Sequence, residues 1–95
     1  MRGLILKEEF AQKIAHGKKI EEYRNFPTKK MNEKIAIISG DRIYAYVKIT
    51  KVVELSCNEE YKYAWALHVM DRFPVPETRP RCKRKKGQQV WAIIE

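Results

Sequence analysis

Two stretches of this 95-residue chain concentrate side chains that could do chemistry. Arg79–Lys86 reads Arg-Pro-Arg-Cys-Lys-Arg-Lys-Lys, six positive charges in eight residues. A run like that suits a polyanion, because each phosphate it neutralises releases condensed counterions. It has no apolar face with which to enter a membrane surface. The chain as a whole leans the same way, with 20 Lys+Arg against 12 Asp+Glu and a net charge of +8. The competing reading of the run is a solvated loop that only aids solubility. The second stretch is Lys19–Arg24. If extended, it puts Ile20, Glu22 and Arg24 on one face and Lys19, Glu21 and Tyr23 on the other. Neither face is cleanly apolar, so such a strand belongs at a sheet edge or along a wet cleft.

The remaining reactive groups say less. Cys57 and Cys82 are 25 positions apart, with no Cys-x-x-Cys and no histidine at ligand spacing, so no metal site is expected. Both read as reduced thiols. Cys82 has cations on both sides, which favours its thiolate, yet an incidental surface cysteine is the simpler account. His16 follows a helix and complements its C-terminal dipole, while His68 lies in a strand-like run; both read as structural.

The elements that must position these groups are legible. Leu4–Leu6 is a short apolar strand. Glu8–His16 reads as a helix, with Leu6, Phe10 and Ile14 in one row, Ala11 and Ala15 beside them, acids at its start and Gly17 as its left-handed stop. Lys34–Ser39 is an apolar strand, and Ser39-Gly40-Asp41-Arg42 a hairpin turn. In Arg42–Leu55 the residues Ile43, Ala45, Val47 and Ile49 point one way, and Tyr44, Tyr46, Lys48 and Thr50 the other. The alternation breaks near Lys51-Val52-Val53, where a bulge would bend the strand. Tyr63–Met70 alternates again, with Tyr63, Trp65, Leu67 and Val69 together. Pro74, Pro76 and Pro80 open an irregular segment before a last strand, Gln88–Ile94.

Five to six strands and one main helix at residues 8–16 define an α+β, mostly β chain, expected to curl into a small β-barrel that hides its edges. At this length residues 1–95 read as one domain, with roughly 65% of the surface buried on folding. The longest apolar runs, such as Ile43–Val47, fall far short of the roughly twenty residues of a membrane span, and Leu4–Leu6 is too short for a signal peptide. A soluble, cytoplasmic, monomeric protein without cofactor is expected.

A helix ending in G-x-K-x-x-E-x-R and running into a strand resembles the ASCH domain family, whose fold is a PUA-like β-barrel. Gly17, Lys19, Glu22 and Arg24 carry the match, and the helix Phe10–Ile14, Lys34–Ser39, Trp65-Ala66-Leu67, Pro74, Pro76 and the Gly87…Trp91 stretch agree with it. The resemblance implies a cleft between helix and barrel that accepts RNA or a nucleotide. Lys19 and Arg24 would then meet phosphate or a base edge, Glu22 would accept from an exocyclic amino group, and Tyr23 or Trp65 could stack on a base. Arg79, Arg81, Lys83, Arg84, Lys85 and Lys86 would track the phosphates of a single strand. The bland reading of Glu22 and Arg24 is an ion pair on an exposed strand, and that of Trp65 and Trp91 is core packing.

An alternative within the resemblance is an amidohydrolase acting on N4-acetylcytidine or a related nucleoside. Lys19 matches that activity's lysine, but position 22 holds Glu22 where a threonine belongs, and the segment that should supply the later glutamate is short, with Glu59 and Glu60 as its candidates. Lys19 would serve as base and Glu22 would activate water. A protein-interaction adaptor is a third reading, disfavoured because the exposed-looking segments are charged.

Overall fold

Where the sequence changes its period, the backbone changes its element. The structure, a computed structural model, describes residues 1–57, 60–83 and 90–94. Its elements are β1 (Arg2–Ile5), α1 (Glu8–Ala15), β2 (Glu21–Arg24), β3 (Ile35–Ser39), β4 (Arg42–Glu54), β5 (Tyr63–Arg72), a single 3-10 turn at Pro76–Thr78, and β6 (Trp91–Ile93). Ala11, Ile14 and Ala15 are the buried face of α1. The helix stops where Gly17 adopts a φ of 75°. The Gly17 amide donates to the Ile14 carbonyl and the Lys18 amide to the Lys13 carbonyl, so two carbonyls of the last turn are satisfied in a Schellman arrangement. That sharp stop delivers the chain directly to Lys19.

The strands form one sheet in the order β2-β5-β4-β3-β1-β6, curled into a half-barrel. β1 runs parallel to β3, with Ile5 opposite Ile38, and every other pairing is antiparallel. The curl shows in one contact. β5 and β6 stand four places apart, which in a flat sheet is about 19 Å. Yet the rings of Trp65 on β5 and Trp91 on β6 stack with centroids 5.9 Å apart. Leu4, Ile14, Ile35, Ile37, Val47, Ile49 and Leu67 fill the concave side around Trp65, which is fully buried.

The mostly β character, the helix, the hairpin turn and the inward set Tyr63, Trp65, Leu67 and Val69 are as the periodicity predicts. The start of β4 differs. Ile43 and Ala45 do not share a face, because Tyr44 is skipped in the pairing with β3: Ile38 sits opposite Ile43 and Ile37 opposite Ala45. Tyr44 therefore joins Ala45, Val47 and Ile49 in the main core, while Ile43 packs with Ala36, Ile38, Cys82 and Ala92 in a second cluster on the convex side. The bulge expected near Lys51–Val53 lies one residue earlier, where Ile49 pairs with Leu67 and Lys51 with Ala66. A single skipped residue inverts which face each later side chain occupies, so the simple alternation could not hold along the whole strand.

Candidate functional site

The short strand β2 is an edge of the sheet, and its two faces have different fates. Glu22 is buried and Arg24 half-buried, while Glu21 and Tyr23 are exposed. Glu22 lies opposite Trp65 in the β5 pairing, at the rim of the main core. Lys19 precedes the strand. Strict alternation from residue 19 would send it away from Glu22, but the chain is extended only from Glu21 onward, so Lys19 turns back over the same side.

The three charged groups meet there. The Lys19 Nζ stands 3.3 Å from Glu22 Oε1. Arg24 reaches Glu22 Oε2 with two nitrogens, Nη2 at 2.7 Å and Nε at 3.0 Å. The side chains of Lys19, Glu22 and Arg24 are only 14%, 7% and 19% exposed, respectively. Arg24 Nη2 also lies 3.5 Å from the carbonyl oxygen of Ile5, which ties β2 to the end of β1 across the open side of the half-barrel. Aromatic rings carry the cations: Lys19 Nζ lies 5.5 Å from the Phe10 ring centre and 5.3 Å from that of Tyr23, within cation–π range. Tyr23 in turn packs against Tyr61 at 5.9 Å.

This triad lines a cavity of about 610 Å³ between β2 and the β1–α1 junction. Ile5, Leu6, Lys7, Phe10, Asn25, Phe26 and Tyr61 complete its walls. The combination is cations and ring faces around one buried carboxylate, a lining suited to a flat ring bearing negative charge nearby.

The structure thus brings Lys19, Glu22, Tyr23 and Arg24 together, and none of the described residues of the basic run, Arg79, Arg81 and Lys83, lines the cleft. Arg79 is not a surface arm. It is buried, with Nε donating to the Phe73 carbonyl at 2.9 Å, Nη2 donating to the Pro74 carbonyl at 3.2 Å, and its guanidinium 4.1 Å from the Tyr44 ring centre. An irregular segment with three prolines leaves carbonyls without strand partners, and one guanidinium satisfies two of them. Arg81 and Lys83 are exposed beside the Ser39–Arg42 hairpin, where Arg81 bridges Arg42. Arg84, Lys85 and Lys86 lie outside the described residues, as does Glu59. Cys82 is buried in the convex-side cluster, contrary to the surface position its charged neighbours suggested. Trp65 is unavailable for stacking on a ligand: it is fully buried and its Nε1 donates to the Phe26 carbonyl at 3.2 Å.

Phe10, Asn25, Phe26 and Tyr61 escaped the sequence reading. Phe10 sits in the apolar row of α1 and looks like core; the other three lie in connections whose positions depend on how the sheet curls. Glu22 also carries a cation on each of its oxygens, Lys19 beside Oε1 and Arg24 on Oε2. Among the described residues the cleft lining holds no serine or threonine. Among the described residues no group of three His, Cys, Asp or Glu could hold a metal ion, and no helix is long and apolar enough to cross a membrane.

A curled sheet with one helix, closed on its open side by a lysine–glutamate–arginine cluster, is the architecture of a small domain with a cationic cleft. The pattern that defines the ASCH domain matches residues 4–91, and the chain belongs to the ASCH domain family. That family is generally thought to bind RNA. Comparison with curated proteins found no match.

Proposed function

We propose that this protein is an RNA-binding module that holds one nucleotide of a single strand in the cleft. Lys19 and Arg24 meet the nucleotide's negative or electron-rich groups, Tyr23 offers a ring face at the rim, and Glu22 positions the two cations. The observation that carries the reading is the buried carboxylate of Glu22 with a cation on each oxygen, set in an aromatic cavity large enough for a nucleotide. A structural ion pair alone would need neither the cavity nor the two rings beside Lys19.

Arg81 and Lys83 extend the same surface charge. Leu6 donates its amide to the Ile38 carbonyl, and the hairpin that follows Ile38 carries the Arg42–Arg81 bridge. Arg81 and Lys83 contact phosphates without reading bases.

The direct test is fluorescence anisotropy with a labelled uridine nonamer, comparing the wild-type protein with the Lys19→Ala/Arg24→Ala double variant. Affinity should fall at least tenfold in the double variant while circular dichroism shows the fold intact. Equal affinity in a folded double variant would refute the cleft as the binding site.

A further inference from the structure

We infer that the cleft discriminates among bases by carbonyl groups, taking oxo-bearing bases and rejecting adenine. This deepens the RNA-binding reading and rests on it.

Among the described residues Glu22 is the one carboxylate lining the cleft, and a cation stands on each of its oxygens. Oε1 faces Lys19 at 3.3 Å, and Oε2 faces two nitrogens of Arg24 at 2.7 and 3.0 Å. Asn25 is committed in the same sense: its Oδ1 accepts the Lys62 amide at 3.1 Å, which turns the Nδ2 amino group to other uses. The Ile5 carbonyl lies against Arg24 Nη2. Among the described lining side chains, the groups left over are mostly donors. Lysine has three N–H groups and only one faces Glu22; arginine keeps Nη1 out of both pairings; Lys7 is another ammonium in the lining. The hydroxyl of Tyr23 can act either way.

A donor-rich pocket pairs with acceptors and leaves a ligand's own donors unsatisfied, which costs more than the missing bond itself. Guanine presents O6 and N7 side by side, cytosine O2 and N3, and uracil two carbonyls. Adenine alone carries no carbonyl and sets an amino group beside N7 and N1. Arg24 is the side chain suited to the discrimination, because a planar guanidinium matches two adjacent acceptors and an ammonium does not. Glu22 fixes the plane of that guanidinium and is a positioning residue.

Adenosine and inosine 5′-monophosphates isolate the effect, since they have the same ring size and differ in a 6-amino against a 6-oxo group. Titrating each into ¹⁵N-labelled full-length protein, with the Arg24 Nε–H and Asn25 Nδ2 side-chain resonances followed by NMR, should give about five- to a hundredfold tighter binding of the inosine nucleotide. Arg24→Lys should cut that ratio to below about twofold, whatever the change in absolute affinity. Stacking strength cannot mimic the result, because both rings are purines.

If the two mononucleotides bind equally, or neither moves the cleft resonances, or adenosine binds tighter, the inference is overturned. An unchanged ratio in Arg24→Lys overturns it as well, since Arg24 is then not the reader. The parent reading fails separately, when the uridine nonamer binds the wild-type protein and the Lys19→Ala/Arg24→Ala variant alike or binds neither.

Discussion

The guanidinium carbon of Arg24 lies 5.9 Å from the ring centre of Trp65, so the outer cation of the cleft rests on the largest fully buried side chain of the core. Trp65 also stacks on Trp91 and holds the Phe26 carbonyl through its indole nitrogen. One side chain thereby joins the sheet's curl to the cleft's far wall. Trp65→Ala should cost about 3–5 kcal/mol, the usual penalty for deleting a buried indole, and should weaken RNA binding through loss of geometry. Urea unfolding gives the first number; anisotropy on the fraction that remains folded gives the second.

The charged cluster predicts an order among its own deletions. Glu22→Ala leaves two half-buried cations facing each other and should cost about 3 kcal/mol, near the lower bound for breaking a buried pair. Lys19→Ala leaves Glu22 still paired with Arg24 and should cost about 1–2 kcal/mol, less than Glu22→Ala. Urea midpoints at constant slope decide the order, and a Lys19→Ala variant as unstable as Glu22→Ala would contradict it.

Arg79 separates structure from binding. Arg79→Ala strands the carbonyls of Phe73 and Pro74 and uncovers the Tyr44 ring, for a loss of about 2–3 kcal/mol. RNA affinity of the folded protein should stay within twofold of wild type. A large drop in affinity with unchanged stability would restore Arg79 to the binding surface.

Salt dependence counts the phosphates. Log affinity for the uridine nonamer should fall linearly with log salt concentration, steeper by about 0.7 for each phosphate contacted. The Arg81→Ala/Lys83→Ala variant should flatten that slope while leaving base preference untouched. A slope identical to wild type would remove these two residues from the interface.

Gly17 tests how the motif is aimed. Its φ of 75° is costly for most side chains, and a Cβ there would make the Arg72 guanidinium move aside. Gly17→Ala should destabilise by about 1–2 kcal/mol, with Gly17→Asn milder because asparagine tolerates the left-handed region. Thermal midpoints of the two variants check the difference.

The helix, its glycine stop and the inward row of β5 were legible because each depends on neighbours within a few residues: side-chain period, dipole, local φ. The polarity of Lys19–Arg24, neither face clean, already implied an edge or a wet cleft, and β2 is an edge that borders one. The same locality explains the misses. Whether Ile43 or Tyr44 faces the core turns on one skipped pairing with β3, and Arg79 is buried because distant carbonyls need a donor.

Residue types by themselves determined the charge available to this protein and the elements that could carry it. Tertiary structure decided which charges cancel and which face a cavity. The curl of the sheet brings the β1–α1 junction and Tyr61 against β2, and a carboxylate's remaining acceptor capacity depends on which cations reach it in space.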